Sequence, residues 1–300
     1  MRVMLAVDYS QTSVFAGQYL RTLPFHRSVD LQVVTVLPPF PFMENAASDG
    51  PVPIENLLEQ ARQQAESTLA ESMARFHPDS FRSVTGEVMV GAPGQSLTAF
   101  AKQHGIDLIV MGAVGRSALS RVLLGSVSEY VSNRTDSSVM IVRSQGSKSG
   151  VDEIETVPKR VLLALGNSDQ DVNNADWIKR LELPAATEIH LVHVMELLTF
   201  YRKDIVQRAT ESWRQSKAAA VSRANSLAQS IRTLDFDAQP VVMEAPHVGD
   251  ALLSYADQHH CDLIITGDRR RGTLNQLFLG SVSLHVLRHA KCSVLVSRAA

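Results

Sequence analysis

The chain has 300 residues, of which 45% are hydrophobic, so it has enough apolar side chains to form real cores and wholesale disorder is excluded. Its 29 lysines and arginines nearly balance 31 aspartates and glutamates, which gives a formal net charge of -2. A nearly neutral protein has no overall basic field to hold nucleic acid or an anionic membrane, so any anionic ligand must be bound by a local site.

Cysteine content and the first apolar run indicate the compartment. The two cysteines, Cys261 and Cys292, are too few for a disulfide framework, which favours a reducing compartment. The apolar run from Val3 to Val7 ends at Asp8 and is too short for a signal peptide or a membrane span. We therefore predict a soluble, cytoplasmic protein that binds neither nucleic acid nor a membrane.

The chain contains one sequence unit twice. The segment from Arg2 to Asp8 aligns with the segment from Arg160 to Gly166, and the block from Leu124 to Ser128 recurs letter for letter from Leu279 to Ser283. Between the copies lies a polar stretch rich in glycine and serine, as in flexible linkers. We predict two domains, residues 1–144 and 158–300, joined by a linker at residues 145–157.

In chain order, each copy alternates strand patterns with helix patterns. The strand patterns are nearly continuous apolar runs, as in a parallel sheet that is covered on both faces. This alternation predicts an α/β fold of two tandem doubly wound domains, each an open five-stranded parallel sheet flanked by helices. The predicted strands are Val3 to Val7, Leu31 to Leu37, Ser83 to Val90, Leu108 to Met111 and Val139 to Val142 in the first copy, and Val161 to Leu165, Glu188 to Val194, Ala238 to Met243, Leu263 to Thr266 and Ser293 to Val296 in the second.

A set of glycines follows the fourth strand of the first copy, where doubly wound sheets bind their ligands. Gly112, Gly115 and Gly125 are spaced as G-x2-G-x9-G, and Ser126 opens a predicted helix. Glycines let backbone N–H groups approach phosphate oxygens, and the helix N-terminus adds its positive dipole end. Alternatively, Ser126 and Glu129 form a capping box, and the last glycine simply precedes a helix.

Asp8 ends the first strand and is expected at the same edge of the sheet. Its carboxylate can accept hydrogen bonds from ribose hydroxyls, as the acid of dinucleotide-binding folds does. Equally, it can cap the helix predicted from Thr12. The sequence contains neither a GxxxxGK[ST] phosphate loop nor a GxGxxG dinucleotide motif.

The three-glycine spacing, the Leu124 to Ser128 block and Asp8 together resemble the nucleotide motif of the universal stress protein family, in its ATP-binding branch. The resemblance covers nearly the whole chain as two tandem domains. It implies a strand order of 3-2-1-4-5 in each domain and ATP, with Mg²⁺, as the ligand, without a committed turnover reaction. It also implies that the last strands of the two copies pair as a pseudo-dimer within one chain, with a homodimer as a further possibility.

The same resemblance implies a role for each motif residue. The carboxylate of Asp8 and the backbone at Val36 would hold the adenosine end, beside Met111 and Gly112. Arg116 would add a charge-assisted contact to phosphate, or would be an ordinary exposed loop arginine. The phosphates would be received by Gly115, Gly125, Ser126 and Val127.

The second copy departs from the motif. Gly166 stands at the position of Asp8, Arg270 stands at the position of Gly115, and Glu244 replaces Gly91 near the end of the third strand. An arginine side chain would crowd a backbone phosphate cradle, although its charge would attract phosphate. We therefore predict that the first copy binds ATP and that the second is a degenerate structural partner.

Three functions are compatible with these patterns. The first is an ATP-binding regulatory protein of the stress response, which acts on protein partners that the sequence does not identify. The second is a slow ATP-hydrolysing enzyme of the same superfamily, although no catalytic residues are apparent. The third is an interaction protein that works without nucleotide. The spacing of His285, His289 and Cys292 would suit zinc, but no second Cys/His pair supports a metal site.

Overall fold

The computed structural model describes residues 1–8, 10–25, 28–39, 54–77, 80–114, 124–143, 157–166, 170–197, 203–268 and 279–298. The chain divides into two compact units: unit 1 comprises Met1–Arg21 and Arg27–Val142, and unit 2 comprises Thr22–His26 and Arg143–Ala300. The predicted linker lies outside the described residues except for Val157. Within the described ranges, no helix is both long enough and apolar enough to cross a membrane.

Unit 1 is an open sheet of five parallel strands in the order β3-β2-β1-β4-β5. This order confirms the predicted doubly wound fold. Helices α1 and α2 connect the strands on one side of β1, and α3 and α4 lead to the strands on the other side. The elements are β1 (Arg2–Ala6), α1 (Gln11–Thr22), β2 (Asp30–Leu37), α2 (Ile54–Met73), β3 (Ser83–Val90), α3 (Pro93–His104), β4 (Leu108–Gly112), α4 (Ser126–Arg134) and β5 (Ser138–Val142).

The strands of this sheet differ in burial. Every residue of β4 and of β5 is buried, which explains why these strands read as unbroken apolar runs. In contrast, β3 lies at the edge and leaves five of its eight residues exposed. The core of unit 1 therefore includes all of β4 and β5 and the four buried residues that follow Arg2 in β1.

Unit 2 repeats this architecture. Its five parallel strands are ordered β8-β7-β6-β9-β10, which is again 3-2-1-4-5 counted within the unit. Pro240 lies in the edge strand β8, where its missing N–H group is tolerated. The elements are β6 (Arg160–Leu165), α5 (Gln170–Arg180), β7 (Glu188–Glu196), α6 (Lys203–Arg232), β8 (Asp237–Ala245), α7 (Val248–Gln258), β9 (Leu263–Gly267), α8 (Ser281–His289) and β10 (Ser293–Ser297).

One repeated sequence segment has a purely structural role at the amino ends of the strands. Gly105 ends α3 in a left-handed conformation, with φ of 59°. Two residues later, a carboxylate oxygen of Asp107 accepts a hydrogen bond from the backbone N–H of Arg2 at 2.7 Å. In unit 2, Asp262 accepts the N–H of Arg160 at 2.9 Å. The repeated aspartate therefore anchors the first strand of each unit, at the edge opposite the predicted ligand site.

Candidate functional site

The predicted site residues of unit 1 meet at the carboxyl edge of its sheet. Strand β1 lies between β2 and β4, with Ala6 paired to Val34 and Leu5 paired to Val110. Adjacent strands are only about 5 Å apart, so side chains that follow β1 and β4 share one small region. Asp8 is the second residue beyond β1 and is half-buried.

Asp8 shapes the turn that leads into α1. One of its carboxylate oxygens accepts the backbone N–H of Ser10 at 3.0 Å and also the hydroxyl of Ser10. The Ser10 hydroxyl oxygen in turn accepts the N–H of Ser13 at 3.2 Å. The cap of α1 is thus Ser10, and the alternative that Asp8 itself caps this helix is wrong. Asp8 instead orients the capping serine.

Gly112 is required by the packing of the protein itself. A methyl group at this position would lie 2.7 Å from the hydroxyl oxygen of Thr12 and 2.8 Å from its backbone carbonyl group. The first turn of α1 therefore rests directly on the last residue of β4. The structure shows that this glycine makes room for a helix, and its predicted approach to a ligand stays a prediction.

Hydrogen bonds join the two ends of the segment from Ala113 to Gly125, which is called the glycine loop below. The N–H of Gly125 donates to the carbonyl of Ala113 at 2.7 Å, which holds these two residues together. The hydroxyl of Ser128 donates to the carbonyl of Gly112 at 2.9 Å. The start of α4 is consequently fixed against the end of β4. Sequence reasoning overlooked Ser128, although its repetition as Ser283 was a usable signal.

The capping box predicted for α4 does not form. The N-cap residue is Gly125, with φ of -73° and ψ of 152°, and Ser126 is already the first helical residue. Since glycine has no side chain, no N-cap side chain bonds to the first-turn N–H groups. Ser126 is exposed and Val127 is half-buried at this helix end. Such an end presents backbone donors and the positive pole of the helix dipole.

The remaining predicted residues of unit 1 differ in exposure. Val36 is half-buried near the end of β2, whereas Met111 is buried within β4 and exposes only 5% of its surface. Gly115 and Arg116 lie outside the described residues. The described part of the site therefore brings together Asp8, Val36, Gly112, Gly125, Ser126 and Val127 at one edge of the sheet.

The corresponding edge of unit 2 has a different chemistry. The N–H of Gly166, which replaces Asp8, donates to a carboxylate oxygen of Asp171 at 2.7 Å. Asp171 lies in the first turn of α5. An acidic side chain is therefore present at this edge, but it comes from the helix and binds the backbone. Arg270 lies outside the described residues.

A buried ion pair follows β9 and β10 in unit 2. The Nε atom of Arg298 lies 2.9 Å from a carboxylate oxygen of Asp268, and the two side chains are 1% and 3% exposed. The matching residue of Asp268 in unit 1 is Ala113. Nothing in the sequence indicated this pair, because the partners come together only through the adjacency of β9 and β10.

Strand register corrects the alignment of Glu244. Glu244 lies opposite Met195 in the pairing of β7 with β8, as Val90 lies opposite Leu37 in the pairing of β2 with β3. The prediction that Glu244 replaces Gly91 is therefore wrong by one residue, and its counterpart is Val90. Val90 is 73% exposed, so this position is apolar and open in unit 1 but acidic in unit 2.

Comparison with known proteins places this architecture in a family. A sequence model described as the universal stress protein family matches residues 1–143 and again residues 158–298. The chain belongs to the universal stress protein family. Both of its units are therefore universal stress protein domains, in tandem.

Individual relatives agree with this assignment. Universal stress protein Rv2005c of Mycobacterium tuberculosis is 25% identical over 316 residues, which covers 99% of this chain and 96% of that protein. Universal stress protein Sll1388 of Synechocystis is 33% identical over 115 residues, covering 38% of this chain and 73% of that protein. A crystal structure of a universal stress protein from Archaeoglobus fulgidus, 20% identical, has a TM-score of 0.65 and covers 99% of this chain and 98% of its own.

The two cysteines of the second universal stress protein domain are buried, and His285 is paired with an acidic side chain. Burial raises the pKa of both the Cys261 and Cys292 thiols to about 12, so neither thiol is ionised at neutral pH. The Nε2 atom of His285 lies 2.7 Å from a carboxylate oxygen of Asp250, and its ring packs against that of His289. Over the described ranges, no three His, Cys, Asp or Glu side chains are grouped as metal ligands.

Proposed function

We propose that this protein is a cytoplasmic, ATP-binding regulatory protein of the stress response, with the nucleotide bound by unit 1. One observation carries the proposal: the N-cap of α4 is Gly125, which has no side chain, at the sheet edge where Asp8 follows the neighbouring strand. This arrangement offers backbone donors for an anion and a carboxylate for hydroxyl groups, a short distance apart.

The phosphate end of ATP would lie against α4. The first-turn N–H groups at Ser126 and Val127 point along the helix axis toward an anion at the N-terminus. In the proposal, Gly115 and Gly125 let the backbone approach the phosphates, and Arg116 adds a charge-assisted contact. Mg²⁺ would arrive bound to the phosphates, which suits its preference for oxygen ligands and retained water.

The adenosine end would lie between β1 and β2. The carboxylate of Asp8 would accept hydrogen bonds from the ribose hydroxyls, while the backbone at Val36 would face the base. Val36 is only half-buried and Val90 is exposed, which leaves apolar surface for a base to cover. Met111 and Gly112 would contribute backbone, since both are buried.

Unit 2 is proposed to be the structural partner. Its edge has the backbone-bound Asp171 in place of Asp8, the buried Asp268 in place of Ala113 and the charged Glu244 in place of Val90. Each of these carboxylates already has a protein partner: Asp171 accepts the N–H of Gly166, Asp268 is paired with Arg298, and Glu244 is paired with Lys217. The edge of unit 2 is therefore occupied by contacts within the protein, which supports its role as a structural partner. ATP in unit 1 would contact the loop from Arg116 to Leu124 and so change a surface that protein partners bind.

The test is nucleotide extraction from freshly purified, full-length protein, followed by chromatographic identification and counting. We expect a single ATP per chain, retained in Gly280→Ala and lost in Asp8→Ala and in Gly115→Arg. Gly280→Ala is a control because Gly280 is the N-cap of α8 in unit 2, which is not proposed to bind nucleotide. Loss of one charge-assisted hydrogen bond should weaken binding by about 10-fold or more.

Three results would contradict this function or change its class. Two nucleotides per chain would mean that unit 2 also binds. No nucleotide, together with no binding of added Mg-ATP, would favour an interaction protein that works without nucleotide. Steady conversion of added ATP to ADP, abolished by Asp8→Ala, would make unit 1 an enzyme.

A further inference from the structure

Thr12 connects the first helix of unit 1 to the start of the glycine loop. It is the second residue of α1, and its hydroxyl donates a hydrogen bond to the carbonyl of Val114. Val114 is two residues beyond the end of β4. This contact between residues distant in sequence lies at the sheet edge that carries the candidate site.

The same threonine also fixes the end of β4 through its backbone. The space for a side chain on Gly112 is filled by Thr12, whose carbonyl carbon and oxygen would lie 2.8 Å from an added methyl group. Gly112 and Val114 are therefore both held by one residue of α1. Thr12 therefore contacts the chain both at the last residue of β4 and two residues beyond it.

On its other side, Thr12 adjoins the residues that hold Asp8. The hydroxyl oxygens of Ser10 and Thr12 are 3.0 Å apart, and Ser10 binds the Asp8 carboxylate through both its N–H and its hydroxyl. Each hydroxyl has a single proton. Ser10 therefore gives its proton to Asp8, and Thr12 gives its proton to Val114. One turn of backbone thus binds the acid on one side and the loop on the other.

We propose that Thr12 is a positioning residue, which sets the position of Gly112 and Val114, where the chain leaves β4, relative to the turn that carries Asp8, and so adapts the site to a nucleotide with phosphates. This inference rests on the proposed function, because it concerns the same ATP site. The sequence of unit 2 is consistent with it: Gln170 stands at the position of Thr12, in the copy where the acid is also replaced.

Two substitutions separate the hydroxyl from the bulk of the side chain. Thr12→Val keeps the branched shape and removes the hydrogen bond to Val114, whereas Thr12→Ser keeps the hydroxyl. We expect Thr12→Val to weaken ATP binding by about 3- to 10-fold, the usual effect of one neutral hydrogen bond. Adenosine binding should change by less than about 2-fold, because Ser10 still holds Asp8 and the proposed adenosine contacts do not include Val114. Thr12→Ser should bind both ligands as the parent protein does.

The measurement is titration calorimetry of full-length protein with Mg-ATP and, separately, with adenosine. Unchanged ATP affinity in Thr12→Val would overturn the inference. Equal weakening of ATP and adenosine would also overturn it, because Thr12 would then support the whole site and not the spacing. If Thr12→Val does not fold, Thr12→Ser still decides, since weaker ATP binding in that variant contradicts the role of the hydroxyl. Failure of the parent protein to bind ATP would instead overturn the proposed function, and this inference with it.

Discussion

The two units of this chain share a scaffold and differ at one edge. In both, a serine hydroxyl near the start of the last helix donates to the carbonyl at the end of the fourth strand, from Ser128 to Gly112 and from Ser283 to Gly267. The repeated Leu-Gly-Ser-Val-Ser block therefore has a structural role that is independent of any ligand. The proposal of a nucleotide site in unit 1 depends on the residues that unit 2 does not repeat, above all Asp8.

The largest expected effect concerns the ion pair that unit 2 has and unit 1 lacks. Replacing Arg298 with Met removes the cation that lies beside the buried Asp268 carboxylate. We expect unit 2 to lose about 3 to 5 kcal/mol of stability, the usual cost of breaking a buried pair on one side. Hydrogen exchange of peptides from β9 and β10 measures this loss, and peptides from β4 and β5 of the same molecule are the internal control.

The matched variant removes both charges. In the double variant Asp268→Leu and Arg298→Met, the desolvation cost of the two charges disappears with their attraction, so exchange in β9 and β10 should return to near the parent level. If the single Arg298→Met variant exchanges as slowly as the parent protein, Arg298 and Asp268 are not a buried pair in solution.

The next effect concerns a glycine that both units use in the same way. Gly94 is the second residue of α3, and a methyl group there would lie 2.6 Å from the ring of Tyr130 and 3.1 Å from its Cβ. Gly249 in α7 meets the ring of His285 at the same 2.6 Å. We expect Gly94→Ala and Gly249→Ala each to lower the free energy of unfolding by about 1 to 3 kcal/mol, as overpacking does.

The sign of this effect is diagnostic, because alanine normally favours a helix over glycine by about 1 kcal/mol. Gly17, within α1, is the control: an added methyl group there would be at ordinary contact distance, 3.4 Å from Leu5. Gly17→Ala should therefore stabilise the protein in urea unfolding. Stabilisation by Gly94→Ala as well would show that the α3–α4 packing is looser than described.

Acid should affect unit 2 more than unit 1, because β7 contains two buried histidines. Burial lowers the pKa of His190 and of His193 below the ordinary value of 6.5. Both are therefore neutral in the native state and take up protons on unfolding, so unit 2 should be fully stable above pH 6.5 and lose stability as the pH falls below it. Their counterparts in unit 1, Gln32 and Thr35, do not titrate.

Neighbouring charges also act on these histidines, but they do not reverse the lowering of the two pKa values. The Nε2 atom of His190 lies 3.6 Å from the Glu188 carboxylate, while its Nδ1 atom is 2.9 Å from the Tyr255 hydroxyl oxygen and the ring of His259 lies beside it. Comparing hydrogen exchange at pH 7.5 and 5.5, corrected for the intrinsic rates, tests the prediction. The variant with His190→Gln and His193→Thr should lose the unit-2 effect, and an unchanged effect would assign it to other groups.

Much of this structure could be predicted from the sequence, and the remainder depends on contacts between distant residues. The strand and helix patterns are local, and the tandem repeat is visible by alignment, so the doubly wound fold followed from both. The capping box at Ser126 failed because Gly125 already provides the N-cap. The contacts from Thr12 to Val114 and from Asp268 to Arg298 depend on which elements lie side by side, which no local pattern specifies.

The smallest predicted effect concerns a left-handed residue that follows the third helix of each unit. Unit 1 has Gly105 there, with φ of 59°, and unit 2 has His260, with φ of 51°. A left-handed conformation is costly for a residue with a Cβ atom and free of that cost for glycine. His260→Gly should therefore stabilise unit 2 by up to about 1 kcal/mol, and Gly105→Ala should destabilise unit 1 by a similar amount. Urea unfolding of both variants measures the pair, and destabilisation by His260→Gly would mean that the His260 side chain makes contacts worth more than its backbone strain.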